Sequence, residues 1–368
     1  MAEKIVKDIS FIKTRVELGF NAPVLTPEYC YLVGLLGKKI QINIDLNVII
    51  KMEKLSNKAT LDDLKKSGLY PLYLIIQQPN VRMSCSGVHE TPEFLIGQSH
   101  EAYERFCDKF WPTSQNDINA SYRKIPDNPK NKSHSFFELG NKDRYMLGFS
   151  YLAMLHIQNI LHIPIKNKTG DEISETPEQK FERFIYGMID MIDHLDGPTV
   201  FVAKMAFWKP LQNDFSSMSK ELIELRKAII NNLIKKPKNK STIAFCLNAS
   251  WDINWIKTGA LTELYQENGL LENLEDNIEL WFGTFDEKLV TISRHINYVT
   301  NNDSGYNSLQ ITNFSEFKKL NYWKNVYNTS MTLREFRKSK IHETLNEDIC
   351  LKRIDHHVEQ LEKKLLSI

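Results

Sequence analysis

A three-layer α/β domain with a central parallel sheet, a large helical insertion and a C-terminal helical tail is what this sequence predicts. Two observations carry the α/β core of that prediction. In KKIQINIDLNVIIKMEKL, β-branched residues crowd Ile40 to Ile50 with Asp45 and Asn47 set among them. A run that apolar suggests a strand buried on both faces, as in a parallel sheet. LWFGTFDEKLVTISRHI reads as strand, turn and helix, and strands that alternate with helices are the α/β signature.

Taken in order, Ala59 to Ser67 carries a helical pattern, and PLYLIIQ (Pro71 to Gln77) is an apolar run that fits either helix or strand. VRMSCS (Val81 to Ser86) is a short strand candidate, followed by a helix or helix pair in GVHETPEFLIGQSHEAYERFCDKF. Asn116 to Lys142 is rich in Asn, Asp, Pro, Lys and Ser and predicts an irregular excursion. Tyr145 to Leu161, Pro177 to Leu195 and Ser219 to Ile234 are predicted helices, and KKPKNK (Lys235 to Lys240) is a basic turn. SLQITNF (Ser308 to Phe314) reads as a late strand. The tail from Leu333 to Ile368 is helical, with Leu345, Ile349, Ile354, Val358, Leu361 and Leu365 as its apolar stripe. The expected division is one domain over residues 1–325, with the insertion at about 107–240, and an extension over 326–368.

Composition narrows the function. A formal net charge of +1 argues against a strongly basic coat protein for nucleic acid, while leaving room for a local basic face. MAEKIVKDIS lacks the apolar core of a signal peptide, and no run approaches the roughly 18 apolar residues of a membrane span. The five cysteines, Cys30, Cys85, Cys107, Cys246 and Cys350, are scattered and form no C-x-x-C pair. They read as reduced thiols, so the expected location is the cytoplasm. G-x-G-x-x-G, Walker and G-x-S-x-G sequences are all missing, which sets aside nucleotide-driven motors and serine hydrolases.

Four carboxylates call for a chemical explanation. An ionised Asp45 inside an apolar strand costs several kcal/mol unless it is paired or bound to metal. It stands near the carboxyl end of the strand, where open α/β sheets place ligands. The plainer alternative is that the strand stops at Ile44 and Asp45 caps the next helix. Asp286 follows the later strand, where Thr284 and Glu287 also have capping-box spacing. Asp252, in NASWDINWI, is either a ligand or a partly exposed helical residue. Glu90 follows VRMSCS, with Glu93 three residues on. Converging carboxylates repel unless a counter-charge is present, and a hard Mg²⁺ or Mn²⁺ ion takes oxygen ligands.

At these residues the chain resembles the PIN-like, Rossmann-like nuclease family. Asp45-Leu46-Asn47 matches its strand-terminal Asp-x-Asn, and MSCSGVHE offers Glu90 as the next acid. NASWDINWI offers Asp252, and WFGTFDEKL supplies Thr284 and Asp286; SLQITNFSEFKKL resembles the family's terminal strand and helix. The resemblance covers roughly Lys38 to His100 and Thr242 to Leu320. It implies a metal-dependent nuclease, more for RNA than DNA, with Asp45, Glu90, Asp252 and Asp286 as catalytic metal ligands and Asn47 and Thr284 in support. A toxin or phage-defence role, a regulatory protein partner and a homo-oligomer are compatible with it. The long segments before and after Asp252 depart from small family members, which makes Asp190, Asp193 and Asp196 reserve candidates, or else a polar helix edge. A non-catalytic PIN-like scaffold for nucleic acid or protein is the alternative, and a purely structural helical interaction protein is a third reading.

The remaining signals are local. Lys235, Lys236, Lys238 and Lys240 would contact nucleic-acid phosphates or else form a solvated loop. Arg334, Arg337, Lys338 and Lys340 make a second basic cluster. Trp beside Lys in FWKP and NYWKN fits base stacking or simple core packing. His89, His356 and His357 lack metal-ligand spacing.

Overall fold

A computed structural model describes residues 7–13, 15, 23–85, 87, 93–111, 135–167, 169–216, 218–236, 238, 241–267, 277–301, 306–311, 314–338 and 346–367. The chain runs β1 (Ser10–Lys13), α1 (Pro27–Leu35), β2 (Lys39–Ile44), α2 (Leu46–Glu53), α3 (Leu61–Ser67), α4 (Tyr70–Ile76), β3 (Val81–Ser84) and α5 (Glu93–Phe110). There follow α6 (Asn141–His162), β4 (Ile165–Lys166), β5 (Glu172–Ile173), α7 (Pro177–Ile192), α8 (Gly197–Phe207), α9 (Gln212–Ser216), α10 (Lys220–Ile229) and α11 (Thr242–Glu267). The last elements are β6 (Ile278–Thr284), α12 (Glu287–His295), β7 (Ile296–Asn301), β8 (Tyr306–Ile311), α13 (Phe314–Phe317), α14 (Asn321–Lys338) and α15 (Glu347–Leu366). The chain is α/β. It divides into two compact units, Met1–His134 with Trp255–Ser308 and Ser135–Asn254 with Leu309–Ile368. These boundaries differ from the expected 325/326 division.

The first unit is organised by a four-stranded sheet of order β1-β6-β2-β3. β2 pairs in parallel with both β3 and β6, whereas β1 runs antiparallel to β6. The expected wholly parallel sheet is therefore corrected to a mixed one. A second correction concerns β2, which is not buried on both faces. Ile40, Ile42 and Ile44 are fully buried, while Gln41 and Asn43 lie half-buried on the opposite face and share a 3.0 Å hydrogen bond. The strand that is buried along nearly its whole length is β6, where the Trp255 ring stacks on Phe282 at 5.0 Å. The apolar run continues past Ile44 because its spacing changes: Val48, Ile49 and Met52 form the buried stripe of α2.

Local signals fix several boundaries. Thr60 and Asp63 form a reciprocal capping box that starts α3, and PLYLIIQ becomes a helix with Leu72, Ile75 and Ile76 buried. Of SLQITNF, Ser308 to Ile311 fall in β8 and Phe314 begins α13, and β8 pairs with β7 in a separate two-stranded sheet rather than joining the four strands.

In the second unit, α15 packs along α6 through Ile354, Val358, Leu361 and Leu365, with an Arg144–Asp355 ion pair at 2.7 Å and a 2.5 Å bond from Tyr151 Oη to Glu362. Of the predicted tail stripe, Ile349 faces outward instead, and Leu345 lies outside the described residues. Trp208 and Trp323 are both buried in one aromatic cluster with Phe201 and Phe317, so core packing is the role of the two Trp-Lys pairs' indoles. All five cysteines are buried, and none is in a disulfide.

Candidate functional site

Two sequence-distant turns meet at the carboxyl ends of β2 and β6. At the first, β2 stops at Ile44, and the Asp45 N–H still reaches across to the Gly283 carbonyl of β6 at 3.0 Å. Asp45 stands at the N-cap position of α2, where its carbonyl accepts from Val48, yet its side chain makes no capping bond. The carboxylate turns instead to the second chain segment. Thr284 Oγ1 donates to Asp45 Oδ2 at 2.5 Å, and Asn47 Nδ2 donates to the same oxygen.

The network is closed by its own spacing. Asn47 Nδ2 also reaches Thr284 Oγ1 at 3.0 Å, and Asn47 Oδ1 accepts the Phe285 N–H at 2.9 Å. Thr284 Oγ1, fully buried, takes a further bond from the Asp286 N–H at 3.0 Å. Asp286 caps α12, with Oδ1 accepting from Lys288 and Leu289 at 2.8 and 3.1 Å. Its other oxygen bonds no group among the described residues.

Asp45 is only 9% exposed. Burial raises its pKa above the ordinary aspartate value, against the lowering effect of the Thr284 and Asn47 bonds, and the nearby Asp286 charge raises it further. The folded state therefore binds this proton more tightly than the unfolded chain. The associated stability is present at low pH and is lost as pH rises from the unfolded value through the folded one. An Asp45→Asn protein keeps the shape and drops this titration. It is expected to melt higher than the parent at neutral pH without metal, with the gap closing towards acid pH. Paired melting curves across that range check this; a variant that melts lower at every pH would mean that the carboxylate is a net stabiliser.

The structure thus brings together Asp45, Asn47, Thr284 and Asp286. Glu90 lies outside the described residues, as do His89 and the side chain of Glu93. Gly87, three positions before Glu90, is nevertheless described, and it sits against the Ile44–Leu46 backbone: a Cβ there would fall 2.5 Å from the Asp45 carbonyl carbon. Asp252 belongs to the second unit, where it accepts from Asn232 Nδ2 at 3.0 Å. Asp190 and Asp193 end α7, and Asp196 caps α8 through the Thr199 N–H at 2.9 Å, so all three hold the helix-edge positions that were their plainer reading. Lys235 and Lys238 are exposed and Lys236 half-buried, while Lys240 lies outside the described residues, as do Lys340 and the side chains of Arg334, Arg337 and Lys338.

Sequence reasoning missed three neighbours. Gly87 was signalled only by a lone glycine after a strand. Lys51 lies over the Phe285 ring at 5.3 Å, and Lys7 donates to the Phe285 carbonyl and pairs with Glu287 at 3.3 Å. Among the described residues no three His, Cys, Asp or Glu side chains gather as a metal-holding group, and no helix is long and apolar enough to cross a membrane. Comparison of the chain with protein-family models, curated proteins and solved structures finds no match.

Proposed function

We propose that the chain is a metal-dependent nuclease of the PIN-like, three-layer type that hydrolyses phosphodiester bonds, more readily in RNA than in DNA. One observation carries this reading: a buried aspartate at the carboxyl end of a parallel strand, held by Asn47 and Thr284, with a second aspartate beside it.

The donor set suits a hard divalent ion. Asp45 and Asp286 present carboxylate oxygens only, and the buried Asp45 is short of a counter-charge that Mg²⁺ or Mn²⁺ would supply. These two residues would hold the ion, with Glu90 proposed as a further ligand. Such an ion, when bound, lowers the pKa of its water and offsets charge developing on phosphate. The chain's own work is positioning. Thr284 spends its hydroxyl proton on Asp45 and takes two N–H bonds in return, which fixes the carboxylate's plane. Asn47 ties that carboxylate to the Phe285 backbone, so the two turns cannot drift apart. Lys51 and Lys7 place positive charge beside the Asp286 turn, where phosphate oxygens would approach.

A non-catalytic scaffold is the second reading, favoured by the commitment of Asp286 Oδ1 to capping α12. The test is incubation with mixed RNA and single-stranded DNA in Mn²⁺, Mg²⁺ or chelator. Metal-dependent loss of RNA is expected. Outer-shell partners are worth about 10–100-fold, so Asn47→Ala should fall in that range and Asp45→Ala below it by more than about 100-fold. Cleavage that is equal in chelator, or unchanged in Asp45→Ala, overturns the nuclease reading. A metal-raised melting point without cleavage supports the scaffold.

A further inference from the structure

Helix α1 is apolar on nearly every side. Its sequence, PEYCYLVGL, holds a single charged residue, Glu28, in the first turn. A helix of that kind suits the interior of a protein, because it has no polar face to give to water. Yet only Cys30 and Val33 are buried, on the side that lies against β2 and α4. Tyr31, Leu32 and Leu35 point outward at the spacing of one helical stripe, and Leu36 at the C-cap extends it. These four are 58–75% exposed, and Val24, just ahead of the helix, is 76% exposed. The other exposed large apolar residues described in the first unit, Ile50, Leu61 and Leu74, are spread over three helices and reach only 37–43%.

The stripe is held firmly. Thr26 accepts the Tyr29 N–H at 3.2 Å, Tyr29 Oη donates to Glu279 of β6 at 2.9 Å, and Asn80 Nδ2 donates to the Cys30 carbonyl at 2.8 Å. An apolar face on a fixed helix binds with little ordering cost. The five side chains offer roughly 600 Å², at the top of the range that monomers leave exposed. Two such patches together bury roughly 1,200 Å², which clears the threshold for a specific interface. The charges that flank the stripe are opposite in sign. Glu28 opens it and Lys38 follows it, and neither is in an ion pair among the described residues.

We infer that α1 is the surface through which two copies of this chain pair about a two-fold axis. The spacing along the helix selects a second copy over another protein. Midway between Tyr31 and Leu35 lies the level of Val33, and midway between Glu28 and Lys38 lies the same level. One axis at that level sets the helices antiparallel. It puts Tyr31 against Leu35 of the second copy and Glu28 against Lys38 of the second copy at once. Ends of one sign would instead call for a partner of the opposite charge.

Sedimentation of the full chain tests this. The average mass should rise from 42.9 kDa towards twice that between about 1 and 100 μM. Leu32 is exposed in the single chain, so Leu32→Glu is expected to leave the fold intact. A two-fold interface carries that change twice, and self-association should weaken by at least about 100-fold. Glu28→Lys or Lys38→Glu alone should weaken it by about tenfold, and the two together should restore it. A single-chain mass at every concentration overturns the proposal, and the parent protein alone decides that point. Self-association that Leu32→Glu leaves unchanged also overturns it. A double reversal no better than either single one overturns the antiparallel pairing. A chain that stays single and sediments with phosphatidylserine vesicles assigns the face to a lipid surface and rules out the second copy. Mass is the readout, so the outcome is independent of the nuclease assay.

Discussion

Gly87→Ala is expected to lower the stability of the first unit by about 3 kcal/mol or more. The added Cβ would meet backbone on three sides: the Leu46 amide nitrogen, the Asp45 carbonyl carbon at 2.5 Å and the Ile44 carbonyl oxygen at 2.7 Å. Overpacking against flexible side chains is relieved by rotamer changes, but these three atoms belong to the end of β2 and the start of α2. Relief would require moving the turn that carries Asp45, and with it the bonds to Thr284 and Asn47. On the proposed reading, nuclease activity should therefore fall together with stability. Hydrogen exchange in β2 and β6 measures the effect. A variant whose β2 amides stay protected and whose melting point is unchanged would show that this close approach is absent in solution.

Trp323→Ala is expected to cost the second unit about 3–5 kcal/mol, the range for truncating a large buried aromatic. Trp323 is 1% exposed and its ring packs against Phe317 at 4.2 Å, Trp208 at 5.7 Å and Phe201 at 5.8 Å. Its indole N–H is buried with no acceptor among the described residues. Trp323→Phe removes that unpartnered donor along with part of the ring, so the gain from the first offsets some of the cavity left by the second. The Phe variant should lose less than about 1.5 kcal/mol. Amide exchange resolved to α8 and α14 is the suitable readout, since two compact units need not melt in one transition. Equal losses for both variants would mean that the indole nitrogen has a partner.

What could be read from the sequence follows physical range. The break at Asp45 stood only as an alternative, because a nearly continuous apolar run hides the change from period two in β2 to period 3.6 in α2. The WFGTFDE turn was legible because an apolar strand gives way there to polar residues at capping-box spacing, and it supplied Thr284 and Asp286. Helix α8 escaped notice because an element apolar on every side has no periodicity to detect. β1 escaped because four residues carry little pattern and its partner is distant: Ser10 pairs with Thr284. PLYLIIQ stayed ambiguous because a short apolar run suits either element, and Pro71 near the helix start was the only arbiter. At the site, the PIN-like resemblance put Asp45, Asn47, Thr284 and Asp286 in one group together with Glu90 and Asp252, and the first four are the ones that meet. Asp252 came from the order of acids along the chain rather than from packing, and it falls in the other compact unit.

The strand order also sets a timetable for synthesis. β6 sits between β1 and β2, yet it is encoded roughly 190 residues after β3. With ribosomes adding about 5–20 residues per second, β2 and β3 emerge roughly 10–40 s before their neighbour. Throughout that interval β1 has no strand to pair with, and one edge of β2 is open to any other extended chain, including that of the next nascent copy on the same message. Helices α6 to α10 leave the exit tunnel during the wait. The strand at the heart of the sheet is the last of the four to be made.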